Sequence, residues 1–243
     1  NKIGYLFAHI RHISDDDRYI HLFTFNPDDP STLTYQGQLL APATTAEGKG
    51  TGGILESSVT VVGDKVYVYY ASYYSTTNKV LNTFLATADK DNILGTITKQ
   101  GVVIAERILD VTYRDGLFYA IDSSTFQTAN PINLYVSADG MNFSVKQTSL
   151  FDNATTIDWG KDTQILSDNS VWITLRDTTD AANGEPLKSY VISFTPFQKI
   201  KANNGIVLRP KAGTDYAGTV DSPAVFQWGG KWYMYISATP VLN

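Results

Sequence analysis

The sequence predicts an all-β protein, a five-bladed β-propeller, and three observations carry that expectation. Helical periodicity is almost absent, and short alternating or apolar runs broken by Gly, Asp and Asn recur in its place. One hairpin pattern returns, its second strands starting at Val66, Leu117, Val171 and Trp232, which are 51, 54 and 61 residues apart. Each copy opens on an acid: Glu56, Asp110, Asp162 or Asp221.

The first copy, Glu56–Ser72, reads as a strand, a tight Gly63-Asp64 turn and an aromatic strand. The second, Asp110–Asp122, turns at Asp115-Gly116; the third, Asp162–Leu175, at Asp168-Asn169; the fourth, Asp221–Ser237, at Gly229-Gly230. Two strand-like stretches follow each of the first three hairpins: Val80–Ala88 and Ile97–Ile104, Ile132–Ser137 and Phe143–Gln147, Ser189–Thr195 and Gly205–Leu208. Four strands in a unit of about 40–50 residues is the signature of a propeller blade. A β-sandwich explains the alternation, but not why every hairpin begins with a carboxylate.

The N-terminus enters this pattern part-way, because Asn1–Ala8 aligns with Asp64–Ala71. The chain is therefore expected to begin at a hairpin turn inside a blade, with Arg18–Phe25 and Leu33–Leu40 as that blade's last two strands. Residues 1–243 read as a single propeller domain with full blades between partial ones at 1–45 and 215–243. Either the natural protein continues at both ends, or the N- and C-terminal strands pair to close the ring and remove exposed edges. A four-bladed ring is the variant count.

Composition narrows the function. The chain is 43% hydrophobic and 18% charged, which suits a folded protein. Its 19 basic residues are scattered and the net charge is −5, so nucleic acid is not an expected partner. There is no cysteine, hence no disulfide framework and no thiolate metal site. Apolar runs are too short for a membrane span. No phosphate-binding loop and no nucleophile elbow occurs. A secreted or cell-surface protein, bacterial or phage-associated, is the expected setting.

The acids are the candidate chemistry. The first strand of each propeller blade lines the central channel, so equivalent acids converge on one end of the axis. Crowded carboxylates push some pKa values up. One acid kept protonated beside another kept ionised is what cleavage of a glycosidic bond requires. Two other readings stand: each Asp caps backbone N–H groups at a strand start, or the ring holds a structural cation on the axis. No other cofactor is expected. Aromatics make up 12% of the chain, and Tyr73, Tyr74, Phe126, Trp159, Tyr216 and Trp228 fall at loop or hairpin positions where a sugar could stack. Trp159 and Tyr216 lie on the approach to Asp162 and Asp221. His9 and His12 precede Asp15-Asp16-Asp17, which reads as a solvated acidic loop rather than a metal site.

An acid, two small residues and an apolar one, followed by a Gly-Lys-Tyr-Tyr-like turn into an aromatic strand, resembles the five-bladed propeller glycoside hydrolases. These are the arabinanase/β-xylosidase-like and levansucrase/invertase-like enzymes. Thr219–Ser237 is the closest stretch. Gly52–Tyr70 is similar to the blade that follows the nucleophile in levansucrase-like proteins, and Ile108-Leu109-Asp110 before Arg114-Asp115-Gly116 resembles the segment carrying the second carboxylate. The resemblance spans the whole chain as architecture, on short motifs. It implies an oligo- or polysaccharide ligand, Asp110 as the helper carboxylate, and a general acid at Asp162 or Asp221, where the family has Glu. The Arg-Asp-Pro of the sucrose-cleaving branch is absent. A non-catalytic carbohydrate-binding or adhesion propeller, of lectin or phage receptor-binding type, is the alternative function.

Overall fold

A computed structural model describes residues 3–72, 82–122, 132–151, 160–165, 170–176, 187–194, 197–208 and 219–239. The first strands are β1 (Gly4–Arg11), β2 (Arg18–Asn26) and β3 (Asp29–Leu40), then β4 (Ile54–Val62), β5 (Lys65–Ser72), β6 (Thr83–Asp89) and β7 (Thr98–Ile104). β8 (Ile108–Arg114), β9 (Leu117–Asp122), β10 (Ile132–Ser137) and β11 (Ser144–Phe151) follow. The remainder are β12 (Gly160–Ile165), β13 (Ser170–Arg176), β14 (Leu187–Phe194), β15 (Phe197–Leu208), β16 (Thr219–Trp228) and β17 (Lys231–Thr239). A single helical turn, α1 (Ile93–Thr96), precedes β7.

Strands consecutive in sequence are neighbours in every sheet: β1–β3, β4–β7, β8–β11, β12–β15 and β16–β17. Among the described residues the first of these sheets has three strands, the next three have four each and the last has two. The expected turns close the hairpins. Asp115 (φ 50) with Gly116 (φ 83), and Gly229 (φ 56) with Gly230 (φ 75), take the paired positive φ of a tight hairpin turn. Val62 pairs with Lys65 across Gly63-Asp64. Asp168-Asn169 lies outside the described residues.

The first strand of each hairpin starts two residues before its acid, and two other strand starts differ most from the sequence expectation. β15 starts at Phe197, not Gly205. Its ladder passes from Tyr190↔Lys201 to Lys188↔Ile206, so Asn203-Asn204-Gly205 is looped out of register and breaks the apolar pattern. β3 likewise starts at Asp29 rather than Leu33. Its register slips more than once against β2, which hides the alternation.

The chain falls into two compact units, residues 1–120 with 135–144, and residues 121–134 with 145–243. In the first, β5 shows how sheets stack. Val66, Val68 and Tyr70 join Ile20, Leu22 and Leu40 of the preceding sheet in one core. Tyr69, on the opposite face, joins Ile108, Val111 and Phe118 of the following sheet in another. A strand buried on both faces must be apolar throughout, and Val66–Ala71 is. Complete burial of side chains such as Ile54 and Leu85 contributes about 1.5–3 kcal/mol each. In the second unit β12 lies beside β16. Among the described residues no helix is long and apolar enough to cross a membrane.

Candidate active site

Each of the four predicted acids is the third residue of its strand: Glu56 in β4, Asp110 in β8, Asp162 in β12 and Asp221 in β16. Those four strands are the first of their sheets, and each is an edge strand. In β4, β12 and β16 the ladder slips by one residue beside the acid. Leu55 pairs with Ala71 and Ser57 with Tyr70, which leaves Glu56 itself as the surplus residue. In β12 the slip lies between Gly160 and Asp162. In β16 it lies between Asp221 and Ala224, around Pro223, which has no N–H to give a ladder. Bulges of this kind re-aim side chains and are common beside active sites.

The approach to β4 is tightly built. The Asp17 carboxylate accepts the Gly50 and Gly52 N–H groups at 2.7 and 3.0 Å. The Arg18 guanidinium donates to the Gly52 carbonyl at 3.1 Å. Gly53 (φ +82) passes so close to β2 that a Cβ there would stand 2.1 Å from the Arg18 nitrogen, so only glycine fits. The expectation of a solvated acidic loop therefore holds for Asp15 and Asp16 but not for Asp17, which is buried as a clamp. A buried carboxylate needs donors, and the glycine-rich turn supplies them.

His12 stacks on Tyr19 with ring centroids 4.0 Å apart, and its Nε2 meets Nε2 of His21 at 3.1 Å. His21 Nδ1 is 3.0 Å from the Tyr35 hydroxyl. Burial, and then the neighbouring His12, hold the His21 pKa below its usual value. Among the described residues no group of three or more His, Asp or Glu is placed to hold a metal ion.

Asp110 is the one of the four predicted acids whose side chain is described. It is half-buried, and its Oδ1 accepts the Ser58 hydroxyl of β4 and the Val111 N–H at 2.8 Å. The same Val111 N–H also reaches Ser58 Oγ at 2.8 Å, so one donor is shared between the two oxygens. Thr83 supports the strand from behind. Its hydroxyl donates to the Glu106 carbonyl at 2.7 Å and accepts the Ile108 N–H at 3.0 Å. Arg107, just before β8, is buried to 2% exposure and carries a permanent cation to the head of the strand.

No protein-family model and no curated protein sequence matches the chain. Solved structures do match. A glycosyl hydrolase from Bacteroides ovatus is similar with TM-score 0.66 and 14% identity, over 98% of this chain and 77% of that one. The levansucrase of Bacillus subtilis gives TM-score 0.69 at 10% identity, over 98% of this chain and 75% of that one. An α-L-arabinanase mutant from Cellvibrio cellulosa gives 0.66 at 12%, over 98% and 83%. The fold is that of the five-bladed β-propeller glycoside hydrolases.

In propeller terms, Glu56, Asp110, Asp162 and Asp221 occupy one repeated position at the head of a blade's first strand. The side chains of Glu56, Asp162 and Asp221 lie outside the described residues, as do Tyr73, Trp159 and Tyr216 altogether. Trp228 closes β16 opposite Lys231 at the hairpin turn, the far end of the strand from Asp221. Asp110 is brought together with Ser58 of the preceding blade, a residue the sequence reading missed. A serine in a Val- and Thr-rich strand carries no local signal of that role.

Proposed function

We propose that the chain is a carbohydrate-active protein of glycoside-hydrolase type, acting on an oligo- or polysaccharide through the acids that head its blades. The observation that carries this reading is the recurrence of a carboxylate at the third position of the first strand in four blades. At Asp110 capping is not the whole role, because its carboxylate also accepts a hydroxyl from another blade. The names of the similar structures, an arabinanase and a levansucrase among them, support a sugar substrate. An extracellular glycan would place the protein outside the cell or on its surface.

In this reading Asp110 orients and tunes the reacting groups, and Asp162 or Asp221 supplies the proton to the leaving oxygen, with Glu56 in the same ring. Trp159, Tyr216 and Tyr73 offer stacking faces for the pyranose or furanose rings. Asp at 162 and 221 is one methylene shorter than the Glu that the family resemblance implies at the general-acid position. That favours, as the second reading, a propeller that holds a glycan without cleaving it. A panel of chromogenic arabinosides, xylosides, galactosides and fructosides separates the two. At least one is expected to turn over, with Asp110→Asn lowering the rate by about 100-fold or more at unchanged circular dichroism. Glycan-array binding with no turnover would establish the second reading, and neither binding nor turnover would remove both.

A further inference from the structure

We infer that Ser58 is a positioning residue for the Asp110 carboxylate, fixing from one blade the orientation of an acid on the next. This rests on the functional reading of Asp110 for its catalytic meaning, but the geometry stands by itself. β8 is an edge strand, so N–H groups on its outer side have no ladder partner within their own sheet. Val111 N–H is met from outside the sheet, by Ser58 Oγ at 2.8 Å. Having accepted that N–H, the serine directs its single proton to Asp110 Oδ1, the closer of its two acceptors, the other being the Val111 carbonyl at 3.2 Å. Ser58 is 8% exposed, and a buried hydroxyl without partners would cost stability. Here donor and acceptor are both spent on two consecutive residues of β8. A carboxylate with one oxygen pinned by a hydroxyl and an amide cannot rotate about χ2 without breaking both bonds, so its second oxygen keeps one direction.

The pin favours the ionised form of Asp110, because two donors on one oxygen stabilise a carboxylate more than a neutral acid. Removing the hydroxyl is therefore expected to move protonation of Asp110 as well as its orientation. The Val111 amide is bonded to Oδ1 and reports both by NMR, with no substrate present. In Ser58→Ala the midpoint of the Val111 amide titration is expected to rise by about 0.5–1 pH unit. Ser58→Thr keeps the hydroxyl and should leave the midpoint in place. Ser58→Cys fills the site with a far weaker donor and should move the midpoint in the same direction, which decides the matter where the alanine variant folds poorly. A midpoint unmoved in both Ser58→Ala and Ser58→Cys, or moved equally by Ser58→Thr, overturns the inference.

Activity supplies a separate arm. On a glycoside the wild type hydrolyses, Ser58→Ala should lower kcat by about 10-fold with little change in KM. Combined with Asp110→Asn it should add nothing to the single Asp110 defect, as expected of groups acting as a unit. Multiplying defects would mean that Ser58 acts elsewhere. If Asp110→Asn retains full activity, the catalytic reading of Asp110 fails while the titration still decides the pin.

Discussion

Asp139 and Asp110 both accept backbone N–H groups through their carboxylates, but they find their donors at different ranges. Asp139 takes Ser137 Oγ at 2.8 Å, the Met141 and Asn142 N–H groups at 2.9 and 2.8 Å, and Asn142 Nδ2 at 2.7 Å, all from the end of β10 and the turn that follows it. Asp110 takes the Ser58 hydroxyl, 52 residues away along the chain and in another sheet. The first carboxylate shapes a loop; the second is held by a neighbouring sheet and has no turn to shape. An aspartate that is only a strand-end cap should resemble Asp139. Long-range polar ties elsewhere in the first unit behave like the second kind. Glu47 is buried and accepts the Lys99 ammonium at 2.7 Å, the Ala43 N–H at 2.5 Å and the Tyr70 hydroxyl at 3.1 Å.

If that division is right, losing a donor should hurt most where the carboxylate is buried and its partners are distant. Lys99→Met strands Glu47, which burial pushes toward higher pKa and which Lys99, Ala43 N–H and Tyr70 together hold below its usual value. The loss is expected at about 2–3 kcal/mol in urea unfolding, reduced from the fully buried case by the part-exposure of Lys99. A loss under about 0.5 kcal/mol would show that the long-range tie carries no more than a surface pair.

Gly140→Ala tests the local turn at its one crowded point. With φ +76 and a would-be Cβ 2.7 Å from the Tyr69 hydroxyl and 2.9 Å from the Phe118 ring, the added methyl should cost about 1–3 kcal/mol in a thermal melt. A neutral result would mean the turn is not clasped by Tyr69, whose hydroxyl donates to the Gly140 carbonyl at 2.8 Å.

Asp139→Asn is the smallest. The Asn142 and Met141 N–H groups hold the Asp139 carboxyl well below the usual carboxylate range. Its folded pKa is thus depressed, so its contribution is present above about pH 4 and is lost as pH falls below the unfolded value. The side chain is exposed, which keeps the effect small. The variant should show a slightly flatter decline of stability between pH 4 and pH 2, and an unchanged slope there would remove Asp139 from the acid response.

These contrasts follow what the sequence makes legible. The hairpins are readable because Asp115-Gly116 and Gly229-Gly230 announce their own φ angles, and the blade count because the spacing of Val66, Leu117, Val171 and Trp232 needs no contacts. The recurrence of an acid near each first-strand start is readable for the same reason, but its third-residue position is not, because the strands begin two residues before the acids. β15 is not, since Asn203-Asn204-Gly205 looks like a boundary when it is a looped-out segment inside a strand. Asp17 reads as one of three solvated acids, and only the passage of the Gly48–Gly53 segment beside β2 turns it into a clamp. Ser58 is invisible in sequence because its partner is chosen by how two sheets face each other.

The one-residue slips beside Glu56, Asp162 and Asp221 have a further consequence. Side chains along a strand alternate with period two, so a surplus residue inverts the phase of everything on one side of it. Ile54 and Leu55 thus run out of step with Ser57–Val62, and the same strand addresses two sets of neighbours under different parity. Deleting a single residue at such a point would not merely shorten the strand; it would exchange which residues face each side of the sheet before the slip, while the hairpin beyond it remained intact.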